Sequence, residues 1–160
     1  MEVAVFCVGQ LDTNCYVVHN AGEAIVIDPG GKMKKILAYL EKNKLTVIRI
    51  LNTHLHFDHT YGNAELADLY KVPILAGAGE AQIDNSPLTE GGIYGLPGVA
   101  PYAWEVLEPG EYEWLGAIWR VLPTPGHSPG SLTFYVPELK AAFVGDLIFR
   151  QSVGRTDFPG

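Results

Sequence analysis

The segment Thr53-His54-Leu55-His56-Phe57-Asp58-His59 places three imidazoles and a carboxylate in one seven-residue window. The chain has only five histidines, so three crowd here, and a fourth, His127, stands in Pro125-Gly126-His127-Ser128. Ordinary core or surface use of histidine does not give that distribution. Imidazole nitrogen and carboxylate oxygen are the donors that zinc and iron accept, so the window reads as a metal site and the chain as a metalloenzyme. His54 and His56 are two residues apart and project to one side of an extended segment; Asp58 and His59 continue into a turn. Glycines at 126 and 130 let the backbone bend sharply enough to bring His127 to an ion held elsewhere. Asp146 ends Phe143-Val144-Gly145-Asp146, and a carboxylate at a strand end can bridge two ions. His19, alone in an apolar run, reads as structural.

These residues need elements to hold them. Short β-branched runs at 3–8, 14–19 and 24–28 read as strands, closed by the breaker Asp28-Pro29-Gly30-Gly31. Met33, Ile36, Leu37 and Leu40 form one apolar helical stripe that ends at Lys42, Asn43 and Lys44, where cations suit the dipole. Lys32, Lys34 and Lys35, the densest basic cluster, read as the wet face of that helix. The run 46–51 is apolar on both faces, as in a covered sheet, and the histidine window leaves its carboxyl end, a common ligand position in α/β folds. Asn63 is expected to cap a helix reaching Tyr70, and 73–76 forms another strand. Residues 77–110 are rich in Gly and Pro, with Tyr94, Tyr102 and Trp104; they read equally as a binding loop or a surface insertion. Strands resume at 112–115, 117–122, 131–136 and 141–145. The order implies an α/β layered architecture in one domain, 1–160.

Composition narrows the function. Apolar residues make up 48% and charged residues 18%, and mean hydropathy is +0.10, a core-forming balance. A net charge of −7 without a Lys/Arg run argues against nucleic acid and anionic membranes as partners. No apolar stretch approaches the ~18 residues that cross a bilayer, and Met1-Glu2-Val3 does not open a signal peptide. Cys7 and Cys15 read as buried, reduced thiols, which makes cytoplasm the expected compartment.

The window at 53–59 followed by Gly62-Asn63 resembles the metal signature of the metallo-β-lactamase superfamily. Within it, Thr124-Pro125-Gly126-His127-Ser128-Pro129-Gly130, Gly145-Asp146 and Gly154-Arg155-Thr156-Asp157 resemble the glyoxalase II-like hydrolases, especially the short bacterial type. The resemblance runs from about Val3 to the last residue. It implies an αββα sandwich in which His54, His56 and His127 hold a first ion, Asp58 and His59 a second, and Asp146 bridges them. Asp58 and Asp146 would then sit at the reacting centre, Asp28 would hydrogen-bond the ligand loop from behind, and Arg155 and Asp157 would pair beneath it. One or two zinc ions, with iron or manganese also acceptable, would supply a metal-bound hydroxide that attacks a thioester such as S-lactoylglutathione. Nothing in the sequence assigns residues to the substrate.

The family pattern continues past the point where this sequence stops, through closing strands, helices and one further histidine. Three expectations follow: an incomplete C-terminal side of the sandwich, a second ion held less tightly than the first, and a homodimer that covers the exposed edge. Two other functions stay open. A persulfide dioxygenase with a single iron would use His54, His127 and Asp146 as its two-His, one-carboxylate face; Phe158 fits that branch, Pro159-Gly160 the hydrolases. A metal-binding remnant without turnover is the third.

Overall fold

The computed structural model describes residues 1–92 and 95–158; the expectations resting on Tyr94 and on Pro159-Gly160 lie outside them. The chain runs β1 (Glu2–Val8), β2 (Thr13–Asn20), β3 (Glu23–Ile27), α1 (Lys34–Lys42), β4 (Thr46–Leu51), α2 (Phe57–Thr60), α3 (Asn63–Tyr70), β5 (Ile74–Ala76), α4 (Pro87–Glu90) and β6 (Glu105–Val106). These strands form one sheet in the order β1-β2-β3-β4-β5-β6. It is antiparallel from β1 to β3 and parallel from β3 to β6, because α1 and α3 supply the crossovers that parallel pairing needs. β7 (Gly110–Trp114), β8 (Ala117–Pro123), β9 (Leu132–Val136) and β10 (Ala141–Phe143) form a second, antiparallel sheet in the order β10-β9-β8-β7, and β11 (Ile148–Phe149) pairs with β12 (Ser152–Val153).

Strand alternation builds two cores from the first sheet. Val17, Val26 and Ile50 face Ile36, Leu40 and Leu66 of the helices. Their sequence neighbours Val18, Ile27 and Leu51 face Trp119, Val121, Phe134 and Phe143 of the second sheet. A central strand apolar on both faces therefore packs a helix layer on one side and a sheet on the other. Each such fully buried side chain contributes about 1.5–3 kcal/mol. The described residues thus form the α, β and β layers of the expected αββα sandwich. Ile118 and Leu122 remain 37% and 44% exposed on β8, and among the described residues no helix covers that face.

Several local expectations need correction. Asn63 is not a helix cap. Gly62 takes that position, and the fully buried Asn63 amide donates instead to Asn52 Oδ1 at 2.9 Å, because a buried amide needs a partner. The strand expected at 141–145 stops at Phe143, since Gly145 turns the chain with φ +53°. Tyr102 and Trp104 pack against the helix-side core, so their part of the 77–110 segment is structural. Cys15 is buried as expected, but Cys7 is exposed: Cys7 pairs with Asn14 and Phe6 with Cys15, so alternation sends the two thiols to opposite faces.

Candidate metal centre

β3 and β4 end side by side, Ile27 against Leu51, and both continue into the centre. Asp28 follows β3 with φ +50° and is 1% exposed. Its Oδ1 accepts from Thr53 N at 2.8 Å, and its Oδ2 accepts from Thr53 Oγ1 at 2.7 Å and lies 3.0 Å from His59 Nδ1. One carboxylate thus clamps both ends of the window. Because Thr53 gives its hydroxyl proton to Asp28, its oxygen is left to accept from His54 Nδ1 at 3.1 Å. His127 Nδ1 lies 2.9 Å from the backbone oxygen of Arg155, which can only accept, so this nitrogen carries the proton. In all three rings Nδ1 is occupied and Nε2 is free to face inward.

The Nε2 atoms of His54, His56, His59 and His127 are all buried without a hydrogen-bond partner. An orphaned buried polar atom costs about 1–3 kcal/mol; four at one point are accounted for by a cation they share. The ligand atoms of His54, His56 and His127 lie within 4.8 Å of one another, as do those of His54, His59 and Asp146. Asp146 spans the two sets, with Oδ1 at 3.1 Å from His59 Nε2 and Oδ2 at 3.4 Å from His127 Nε2. The His59 contact lacks hydrogen-bond alignment, and we take it as Coulombic. Asp58 Oδ2 lies 3.4 Å from His59 Nε2 and accepts from Thr13 Oγ1 at 3.0 Å. All six window, His127 and Asp146 positions singled out in the sequence therefore meet at one point.

Two glycines make this convergence possible. A Cβ on Gly145 would stand 2.2 Å from Thr53 Oγ1, and one on Gly154 1.7 Å from the Asp146 carbonyl oxygen. Only bare backbone fits between the clamp and the carboxylate.

The protonation states differ across the centre. Burial, then the neighbouring imidazoles, hold His54 well below its ordinary value; burial and His127 bring His56 down to about 4. Both are neutral ligands at pH 7. Burial opposes charge on His59, but Asp28, Asp146 and Asp58 outweigh it and raise that group well above its ordinary value. Asp146 resists burial and is lowered by its contacts with His59 and His127. A metal bound at His59 must displace a proton, and its affinity falls as pH drops below the raised value, up to about tenfold per unit; His54 and His56 face no such competition. Dialysis at falling pH, read by elemental analysis, should therefore empty the His54–His59–Asp146 set before the His54–His56–His127 set, and mild chelation should follow the same order. Simultaneous loss of all metal would contradict this.

Arg155 and Asp157 do pair, Nε to Oδ1 at 2.8 Å, but with the side chains 66% and 70% exposed, so the expectation of a pair beneath the centre is corrected. Arg155 reaches His127 through its backbone oxygen, while its guanidinium lies over the Phe158 ring that packs on His56 and His127. His19 bonds Tyr39 Oη at 2.9 Å, a structural role as expected.

Glu80 was not anticipated. It is fully buried in the 3₁₀ turn Ala78–Gln82. Oε2 accepts from Leu55 N at 2.7 Å, between His54 and His56, and Oε1 accepts from Gly130 N at 2.9 Å and from Ser128 Oγ, beside His127. Burial pushes its carboxyl up, against the lowering effect of these donors. A lone Glu in a Gly-rich stretch carries no signal of this; only the fold brings both ligand loops to it.

A cavity of about 170 Å³, lined by His56, His127, Ile83 and Phe158 among others, opens beside the centre. The centre thus gathers donors that could hold a metal ion and has space for a small group at its edge.

Known proteins are similar to this chain in sequence and fold. A family profile for the metallo-β-lactamase superfamily matches residues 8–160. The hydroxyacylglutathione hydrolase GloC of Haemophilus influenzae is 30% identical over 164 residues, covering 99% of this chain and 77% of that protein. Among solved structures, the BLEG-1 B3 metallo-β-lactamase superposes with a TM-score of 0.89 at 31% identity, covering 99% of this chain and 78% of that one. TTHA1623 in a di-iron-bound form superposes at 0.84 and 36% identity, with coverage of 98% and 78%. With buried imidazoles converging on one point, a carboxylate spanning two ligand sets, and sequence and fold matching along nearly its whole length, the chain belongs to the metallo-β-lactamase superfamily.

Proposed function

We propose that the chain is a metal-dependent thioester hydrolase acting on substrates such as S-lactoylglutathione. The observation that carries this reading is Asp146, whose two oxygens each face a different ligand set. That is the arrangement needed for two ions, which two-metal hydrolases hold ~3.5–4 Å apart. In this reading His54, His56 and His127 hold one ion, Asp58 and His59 the other, and Asp146 lies between. The hydroxyacylglutathione hydrolase relative supports the thioester, and the di-iron-bound neighbour supports iron beside zinc and manganese as occupants.

Bound metal supplies a water of lowered pKa and polarises the substrate carbonyl. The chain's own groups do the rest. Asp28, Thr53 and the Arg155 backbone oxygen fix which imidazole nitrogen faces the centre, and at His59 a proton must leave before metal can bind. Asp58, held by Thr13, offers Oδ2 to the proton released as water adds to the carbonyl. The small cavity beside Phe158 takes the smaller, uncharged side of the thioester. A thiolate leaves without help from a general acid. Unpaired Cys7 and Cys15 suit a reducing cytoplasm, and no described helix is long and apolar enough to cross a membrane.

His54, His127 and Asp146, the two-His, one-carboxylate face a single iron would use, keep a persulfide dioxygenase as the second reading, with Asp146 Oδ2 3.4 Å from His127 Nε2. Purified protein loaded with zinc, iron or manganese separates the two. Thiol release from S-lactoylglutathione under nitrogen is the expected result. Oxygen uptake with glutathione persulfide and no anaerobic thiol release would replace the hydrolase by the dioxygenase, and cleavage of a β-lactam alone would overturn both.

A further inference from the structure

A second, larger cavity of about 540 Å³ adjoins the centre at Asp58, within the usual size of a small-molecule site. The β1–β2 turn, the segment following Pro29, and α2 form its walls. Its lining includes Leu11, Phe57, Tyr61 and Leu96, and also Lys32, Lys34 and Lys35. The lysines were read from sequence as the wet face of a helix; they are exposed, yet they border this space.

Three observations set them apart. They are three of the chain's eleven basic residues, within four positions of a chain with net charge −7. Among the described residues none of them forms an ion pair, although Lys71, Arg120 and Arg155 do. Lys34 and Lys35 also occupy the first turn of α1, which has no acidic residue, where the helix dipole disfavours cations. Helix stability alone would put Asp or Glu there. The walls are fixed as well: a Cβ on Gly31 would stand 2.5 Å from Gly9 N and 2.8 Å from Val8 Cβ, so the lysine segment is locked against the β1–β2 turn. On that turn Leu11 is 56% exposed, an apolar side chain with no packing role of its own.

We propose that this cavity binds the acid-bearing half of the substrate, with an apolar stem against Leu11, Phe57 and Tyr61 and one or more carboxylates at Lys32, Lys34 and Lys35. This rests on the thioester reading: the scissile bond lies at the centre, the small group enters the 170 Å³ cavity, and the charged group enters the larger one. The carboxylate can belong to the thiol or to the acyl half of the thioester.

Three thioesters distinguish these sources: S-lactoylglutathione (acid on the thiol), S-succinyl-N-acetylcysteamine (acid on the acyl group) and S-lactoyl-N-acetylcysteamine (neutral). The metal-loaded wild type should prefer one acid-bearing ester over the neutral one, and which one identifies the half. In the K32Q/K34Q/K35Q variant the ratio of kcat/KM for that ester over the neutral one should fall about tenfold, mainly through KM, since each semi-exposed charge contact contributes a few-fold. K32R/K34R/K35R should keep the ratio, and about 0.5 M salt should lower it in the wild type by screening. An unmoved ratio in the Gln variant overturns the proposal. A separate arm needs no turnover: S-hexylglutathione should bind the wild type more tightly than its dimethyl ester does, and about tenfold more tightly than it binds the Gln variant. Equal affinities, or no binding to a wild type that prefers the glutathione ester, overturn the cavity assignment. Failure to hydrolyse any thioester, with this binding difference intact, overturns the hydrolase reading alone.

Discussion

His56→Ala should reduce thioester kcat/KM by about three orders of magnitude, equivalent to about 4 kcal/mol of transition-state stabilisation. His56 is 5% exposed, and its ring centroid lies 4.6 Å from His54 and 4.7 Å from His127. Its lowered value, about 4, means that it offers a lone pair at pH 7. Alanine removes a neutral donor from the His54–His56–His127 set, and nothing nearby replaces it, because the other buried Nε2 atoms already lie around the same space. The loss should appear first as metal stoichiometry and then as rate. The Nε2 being removed has no hydrogen bond to lose, so the circular dichroism spectrum of the metal-free variant should match that of the metal-free wild type. Full turnover in His56→Ala would assign the measured activity to a contaminant or another site.

Glu80→Ala should cost about 3–5 kcal/mol of stability. The substitution strands Leu55 N–H, Gly130 N–H and the Ser128 hydroxyl, and each buried group left unsatisfied costs about 1–3 kcal/mol, less than additively because they share one site. Glu80→Gln keeps one acceptor oxygen and should fold. Its distinguishing signature is metal affinity, about 10–100-fold weaker, the size of effect seen when a group that orients ligands is lost; KM at saturating metal should change little. The pH dependence has a definite sign. Because burial raises the Glu80 carboxyl above its ordinary value, the folded state holds this proton more tightly than the unfolded chain. The contribution to stability is full below the unfolded value, about 4.3, and is lost as pH rises through the folded one. Denaturant midpoints of the wild type should include that fall, and Glu80→Gln should lack it. A Gln variant with unaltered metal affinity would reduce Glu80 to a purely structural residue.

The metal-capable residues were legible because their chemistry is concentrated in the chain. Three imidazoles and a carboxylate within seven residues need no fold to be noticed, and Gly145 before Asp146 and Gly126 before His127 mark backbone that must pass close to something. Strand positions were legible from short β-branched runs between turn residues, and the layered α/β order from the apolar helical stripe lying between them. The errors fell where a residue has two physically reasonable uses. Asn63 suits a helix cap, yet a buried partner at Asn52 claims it. Arg155 and Asp157 form the expected pair, but on the surface, and it is the Arg155 backbone that reaches His127. A basic cluster at a helix start reads as solvated until a cavity is found beside it.

Residue type and spacing by themselves pointed to a metal site, to its candidate side chains, and to strands and helices alternating around it; these follow from donor chemistry and local periodicity, which are written along the chain. Only the tertiary structure decided that Asp28 clamps His59 and Thr53, that Glu80 joins two ligand loops 25 and 50 residues away, and that Lys32, Lys34 and Lys35 border a cavity beside Asp58. Hydrogen bonds and cavities between distant segments depend on how the layers pack, and no local pattern encodes that.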